Sequence, residues 1–461
     1  MIRNDRDSSE TKFFEELSYL ADGPVYDFHT HLPVELLLEN QPLSNLSACW
    51  VEPDHYKLRV LRHLGLLQIE NSSISQGDSL AMMWLDSLPH LVGSPLLDWA
   101  KLELEMFFGW ELEDAISNPS NFVSSANEML GSELGRPREL LRQSGFRAIA
   151  TSDEPFADVG LHALSSDSEL RVMPTFRIDR FLQLEHVERF LQGIDELCQR
   201  ENREIRDVSS FLEAIEGSLV RFHEAGSRLA DCGIGEVQAD VPSPELAESG
   251  LKNVLKGVKP SASEIRNWQR LLLDHLAEFC ASHRWTMQIH FGALRNINKD
   301  LFEVLGPDSG GDSIGNPSVV DLAATLSDWS ATGILPRLII YVSNPTHSAA
   351  MSALSLVFFE RDVKGLVRLG APWWFLDTPS GIRDNLTVQA EIGVLSTFPG
   401  MVSDSRSFFS AARHQYFRRE LISFLSEGIM SKRFSHRLLE ESETLEKILF
   451  HNPREIFTLE G

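Results

Sequence analysis

Apolar residues fall along this chain in two rhythms. Short, nearly continuous apolar runs recur at "VYDFHTHLP" (25–33), "FRAIATS" (146–152), "RVMPTFR" (171–177), "SRLADC" (227–232), "TMQIHFG" (286–292), "RLIIYVS" (337–343), "GLVRLG" (365–370) and "FPGMVS" (398–403). Between them lie longer stretches with apolar residues every third or fourth position, such as "HYKLRVLRHLGLL" and "LLDWAKLELEMFF". The first rhythm predicts strands and the second predicts amphipathic helices. Strands that alternate with helices pair in parallel, and eight of them predict an α/β fold, a closed (β/α)8 TIM-type barrel with a helical insertion after strand 1. The division expected is 1–34 for an N-terminal helix and the first strand, 35–140 for the helical insertion, and 141–461 for the rest of the barrel. The N-terminal helix is read from "FEELSYLADG" (14–23), stopped by Gly23-Pro24.

That architecture gives the polar residues at strand ends a common address, because barrel chemistry sits at the C-terminal ends of the strands. Side chains alternate along a strand, so His29 and His31 point the same way, with Asp27 behind them. Two imidazoles at that spacing can grip one metal ion. Thr151-Ser152-Asp153-Glu154-Pro155 follows the second run, Arg177 and Asp179 the third, and His290 ends the fifth. Asp404 and Arg406 follow the eighth. Each residue taken singly is equally a helix cap or a loop ion pair; their convergence is what the barrel predicts.

Composition narrows the partners. The 461 residues carry a formal net charge of −25, which excludes nucleic acid as a partner because phosphate neutralisation needs a basic surface. A small anion needs only a local arginine cluster. No apolar run approaches the roughly 18 residues of a membrane helix, and "MIRNDRDSSETKFFEEL" is too polar for a secretory signal. Cys49, Cys198, Cys232 and Cys280 form no CxxC pair, which suits free thiols in a cytoplasmic protein. No GxGxxG or GxxxxGK loop occurs, so no nucleotide cofactor is expected.

The motifs carry a resemblance. "YDFHTHLP" (26–33), "DHYKLRVLR" (54–62), "FRID" (176–179), "MQIHFGALRN" (287–296) with "LGPDSGGDSIGN" (305–316), "WWFLD" (373–377), "GMVSDSRSF" (400–408) and "RHQYFRR" (413–419) resemble the uronate isomerases, a branch of the amidohydrolase superfamily, nearly end to end. The resemblance implies an aldose–ketose isomerase of hexuronates, D-glucuronate to D-fructuronate and D-galacturonate to D-tagaturonate, moving a proton between C2 and C1. It implies a divalent metal, first of all Zn2+, held by His29, His31 and Asp404. Asp404 is also the expected proton acceptor, with Arg406 beside it, and His55 and Tyr56 are expected to handle hydroxyl protons. Substrate contacts are expected from Arg177, oriented by Asp179, and from His290, Arg413 and Trp373. The expected partners are a hexuronate and further copies of the chain, with no membrane. The alternative weighed is a metal-dependent hydrolase of a sugar-acid lactone or ester, which leaves the arginines unexplained. A sugar-acid binding protein without catalysis is a third reading. The chain departs from the family pattern at Asp98 and Lys101, where the family commonly has histidines, and at Cys232 of Asp231-Cys232-Gly233. Glu154 replaces an aspartate.

Overall fold

Seven of the apolar runs become the strands of one sheet. The computed structural model describes residues 23–69, 77–167 and 169–458; the helix expected at 14–23 lies outside them except for Gly23. The strands are β1 (Val25–Thr30), β2 (Phe146–Asp153), β3 (Arg171–Arg177), β4 (Leu229–Ile234), β5 (Thr286–Phe291), β6 (Ala293–Leu294), β7 (Ser313–Ile314), β8 (Arg337–Val342) and β9 (Val367–Leu369). β6 and β7 form a separate antiparallel pair. The others lie in the order β1-β2-β3-β4-β5-β8-β9, each parallel to its neighbour, and curl into a half-barrel of TIM-like form.

The eighth expected strand, 398–403, does not form. Its end does run beside β1: the Asp404 N–H donates to the His29 carbonyl at 3.1 Å, and the Ser405 carbonyl accepts from His31 N–H at 2.7 Å. The ladder stops there for two local reasons. The Ser403 N–H is taken by the Asp27 carboxylate at 3.1 Å rather than by a strand. Asp404 itself adopts φ 47°, the left-handed region that aspartate tolerates better than most residues.

Between β1 and β2 the described chain is mainly helical, including Val34–Glu39, His55–His63, Ser79–Ser87, Pro95–Glu103 and Pro119–Leu130. Helices also join the later strands; Ala262–Ser282 starts from a reciprocal Ser261–Glu264 cap and buries Trp268, Leu272 and Leu276. All six residues of β5 are buried, as a strand covered on both faces requires. The exceptions to an apolar interior are informative. Asp27, His29, Asp231, Gln288 and His290 are polar and almost wholly buried, so each must find a partner or a ligand. Among the described residues, no helix is long and apolar enough to cross a membrane.

Candidate active site

The strand ends converge on a small cavity, whose lining includes His29, His31, His290, Asp231, Asp404 and Arg177. Register explains the convergence. Gly233 of β4 stands beside His290 of β5, which stands beside Tyr341 of β8. Alternation sends Asp231 and Gly233 to the cavity, while Cys232 between them is buried and does not line it.

The floor is a cluster of nitrogen and carboxylate ligands. The Asp404 Oδ1 atom lies 3.3 Å from His29 Nε2 and 3.1 Å from His31 Nε2. Its other oxygen accepts from the Trp373 indole N–H at 3.3 Å. A second group, His29 with Asp231 and His290, shares the first histidine. Asp231 accepts from His290 Nδ1 at 2.8 Å and from the Ser152 hydroxyl at 3.1 Å. The ring of His290 is thereby oriented, and its Nε2 is left buried without a partner.

The donors suit a divalent metal. In each group one ligand atom per residue lies within 4.8 Å of the others. Ligands about 2.0–2.1 Å from a tetrahedral ion stand roughly 3.3 Å apart, close to the spacings around Asp404. Two imidazole nitrogens and a carboxylate oxygen are also the donor chemistry that zinc and its neighbours accept.

Burial and charge set the protonation states. Burial lowers the pKa of His29, but Asp231 and Asp404 outweigh it, and the net shift is upward. Burial, joined by the Arg406 charge, pushes His31 down to about 3. His290 is lowered by burial against the opposing pull of Asp231. Burial would raise Asp404, yet its bonds to His29 and His31 hold it well below the ordinary carboxylate range. Asp231 is likewise held low, by His29 and His290 against burial.

The mouth is made of arginines. Arg177 donates from Nε and Nη2 to Asp179 Oδ2 at 3.0 and 2.9 Å, and its Nη1 faces His31 Nδ1 at 3.3 Å. Asp179 is itself fixed by the Gly233 N–H at 2.6 Å. Arg406 pairs with Asp308 at 3.0 Å, and Arg295 pairs with Asp308 at 3.3 Å and Asp312 at 3.0 Å. The Arg295 guanidinium also lies 4.4 Å from the Trp374 ring centroid.

His55 reaches the cavity from the first turn of its helix. Asp54 caps that turn, accepting from Tyr56 N–H at 2.9 Å and Lys57 N–H at 3.4 Å. Lys57 is buried and bonded to Glu103 at 2.9 Å, which anchors the turn in the helical block. Burial and Arg406 lower the pKa of His55; burial and Asp404 raise that of Tyr56 well above its ordinary value.

The expected residues therefore divide. His29, His31, His55, Arg177, Asp179, His290, Trp373, Asp404 and Arg406 all line the cavity. Tyr56 and Arg413 do not. They pack behind it, the Arg413 guanidinium lying 5.0 Å from the Tyr56 ring and 4.2 Å from that of Trp99, and Arg413 donates to the Ser403 carbonyl at 2.9 Å. Asp98 and Lys101 lie off the cavity as well; Lys101 is half-exposed and pairs with Glu105 at 3.7 Å. Sequence reasoning passed over Asp231, Arg295 and Asp308 as site residues, although all three stand in stretches it had singled out.

A parallel α/β sheet whose strand ends gather two His-x-His imidazoles, an aspartate and arginines defines a class: a TIM-like enzyme fold with a cluster of residues that could hold a metal. The model of the glucuronate isomerase family matches residues 5–457. A uronate isomerase from Caldanaerobacter subterraneus subsp. tengcongensis is 31% identical over 443 residues, covering 95% of this chain and 94% of that protein. One from Oceanobacillus iheyensis is 32% identical over 449 residues, covering 95% and 94%. Among solved structures, a Thermotoga maritima uronate isomerase matches with TM-score 0.86 at 24% identity, covering 98% of this chain and 97% of that one, a likeness of fold. The chain belongs to the glucuronate isomerase family.

Proposed function

We propose that the protein interconverts hexuronate aldoses and ketoses, D-glucuronate with D-fructuronate and D-galacturonate with D-tagaturonate. The observation that carries this reading is the meeting, in one small cavity, of the Asp404 carboxylate with His29 and His31 and of the Arg177 fork. An enediol route needs a base at C2, polarisation of the O1 and O2 oxygens, and a grip on the C6 carboxylate.

His29, His31 and Asp404 would hold the metal, Zn2+ by first choice, with His290 and Asp231 adjoining them. When bound, the ion supplies electrophilic polarisation of the sugar oxygens. Asp404 is kept ionised and so is ready to take the C2 proton; Arg406 beside it compensates charge on the enediol oxygens. His55, neutral near pH 7 by its lowered pKa, serves the hydroxyl protons at the cavity edge. Tyr56 stays a protonated donor in its raised state and acts through the packing around Arg413. Arg177 binds the carboxylate with the guanidinium edge that faces His31, its other edge being fixed by Asp179.

We also propose the finer architecture: a barrel closed by the 398–405 segment as its eighth stave, divided at 1–34, 35–140 and 141–461. A cytoplasmic homo-oligomer is the state we assign, which suits four unpaired cysteines and the exposed Val357 and Phe359.

The test is incubation of the purified, metal-supplied protein with each hexuronate, following ketose by NMR. Ketose formation is expected, and no turnover of either sugar overturns the reading. Lactone hydrolysis without isomerisation would favour the hydrolase alternative instead.

A further inference from the structure

The cavity adjoins a larger outer chamber. The two share His31, Arg177, Asp179, Arg295, Asp308 and Arg406 in their linings, so these side chains face both spaces. The outer chamber adds Ser152, Glu154, Gln183 and Arg189.

The arginines of this space are not equivalent. Arg177, Arg295 and Arg406 are each matched by a carboxylate. Arg189 makes no hydrogen bond or ion pair with the described residues, although it stands half-buried in the lining of the chamber. Burial and the like charge of Arg180 lower its pKa, so its cationic form lacks an anion, with Glu154 and Asp308 only in its wider field. Opposite defects lie in the same lining. Glu154 Oε2 and Gln183 Oε1 are buried oxygens to which no group donates. Glu154 spends its other oxygen on Arg180 at 3.3 Å.

A guanidinium without an anion and two oxygens without donors are complementary to a polyhydroxy carboxylate. In the outer lining four arginines face three carboxylates, Glu154, Asp179 and Asp308, which leaves Arg189 as the unmatched charge. We infer that the outer chamber is a second uronate subsite, in which Arg189 takes the carboxylate of a hexuronate unit glycosidically linked to the one in the inner cavity. The inference rests on the reading that a hexuronate fills the inner cavity. The ligand class is a short oligouronide entering by its reducing end, since only that end carries the masked aldehyde on which the inner cavity acts. Arg189 supplies charge, while Glu154 and Gln183 accept from sugar hydroxyls.

Digalacturonate and D-galacturonate are the probes, titrated calorimetrically into the metal-supplied full-length protein and scored as competitors of D-glucuronate isomerisation. Digalacturonate is expected to bind at least tenfold tighter than D-galacturonate. Arg189→Ala is expected to erase that advantage, and Arg189→Lys to restore part of it. D-galacturonate binding in each variant reports that the protein is folded. Equal affinity for the two ligands in the parent overturns the inference, and so does an advantage that survives Arg189→Ala. If Arg189→Ala weakens both ligands equally, the guanidinium serves a single hexuronate on its way in, and the two-unit subsite is overturned. Failure to isomerise any single hexuronate would show instead in the D-glucuronate assay, and would sink the isomerase reading itself.

Discussion

The floor and the mouth of the cavity are built on different principles. The floor residues His29 and His290 sit within strands, buried to within a few per cent, at heights set by sheet register. The mouth residues Arg295, Asp308 and Arg406 sit on loops, each side chain about a quarter exposed, and hold one another by charge. The floor gets its geometry from the backbone, and the mouth gets its geometry from ion pairs that water can replace. Substitutions should therefore separate the two: chemistry should fail at the floor, and binding should weaken at the mouth.

The largest effect is expected at Asp404. Asp404→Asn removes the charge proposed to hold the metal and to take the proton, while keeping a side chain that tolerates the same left-handed backbone. A loss of about a thousandfold in kcat is expected, with reduced metal content by elemental analysis. A variant that retains kcat within tenfold would contradict the role given to the floor.

Arg177 stands between the two regions, and Arg177→Lys should break the fork while keeping the charge. A charge-assisted hydrogen bond of this kind contributes about 1.5–3 kcal/mol, so kcat/KM should fall roughly ten- to a hundredfold, mostly through KM. A fall carried by kcat would move Arg177 into the transition state.

The smallest effect is expected at Asp308, where Asp308→Asn releases two arginines. KM should rise a few-fold, with a smaller fall in kcat through the released Arg406, and the effect should shrink in high salt. The pH dependence has a definite sign. Burial would raise the Asp308 pKa, but Arg406 and Arg177 hold it far below the ordinary value, so its contribution to stability is present above about pH 4 and lost as the pH falls below that. The difference in Tm between parent and variant should thus be flat from pH 8 to 5 and narrow in stronger acid.

The same contrast explains what could be read from the residues alone. Seven strands were legible because each is a short apolar run covered on both faces; the expected and observed bounds of β3 coincide at 171–177. The run at 398–403 has the same apolar look, but the Asp27 side chain and the turned backbone of Asp404 interrupt its ladder, and neither leaves a trace in hydrophobicity. The two-residue strands β6 and β7 are too short for any period to register. In the site, His29 and His31 were legible from alternation, and Asp404 from its motif. Asp231 was treated only as the neighbour of an unusual cysteine, although the alternation that pairs His29 with His31 also turns Asp231 away from Cys232 and into the cavity. Asp308 could not be placed because its partners Arg295 and Arg406 come together only when two loops fold over the sheet.

The loop from Gly306 to Asp312 is held from every side. Asp308 meets Arg295 and Arg406, and the backbone carbonyls of Ser309 and Asp312 accept from Arg62 at 2.7 Å and Arg59 at 3.3 Å. Four arginines from three parts of the chain thus close on one short span, much as keys turn in a single bolt. Widening the doorway means undoing contacts that dissolved ions can imitate, whereas the room behind it is walled by a ladder they cannot reach. Ionic strength should accordingly govern how readily the sugar acid passes in and out, and leave what happens to it inside unchanged.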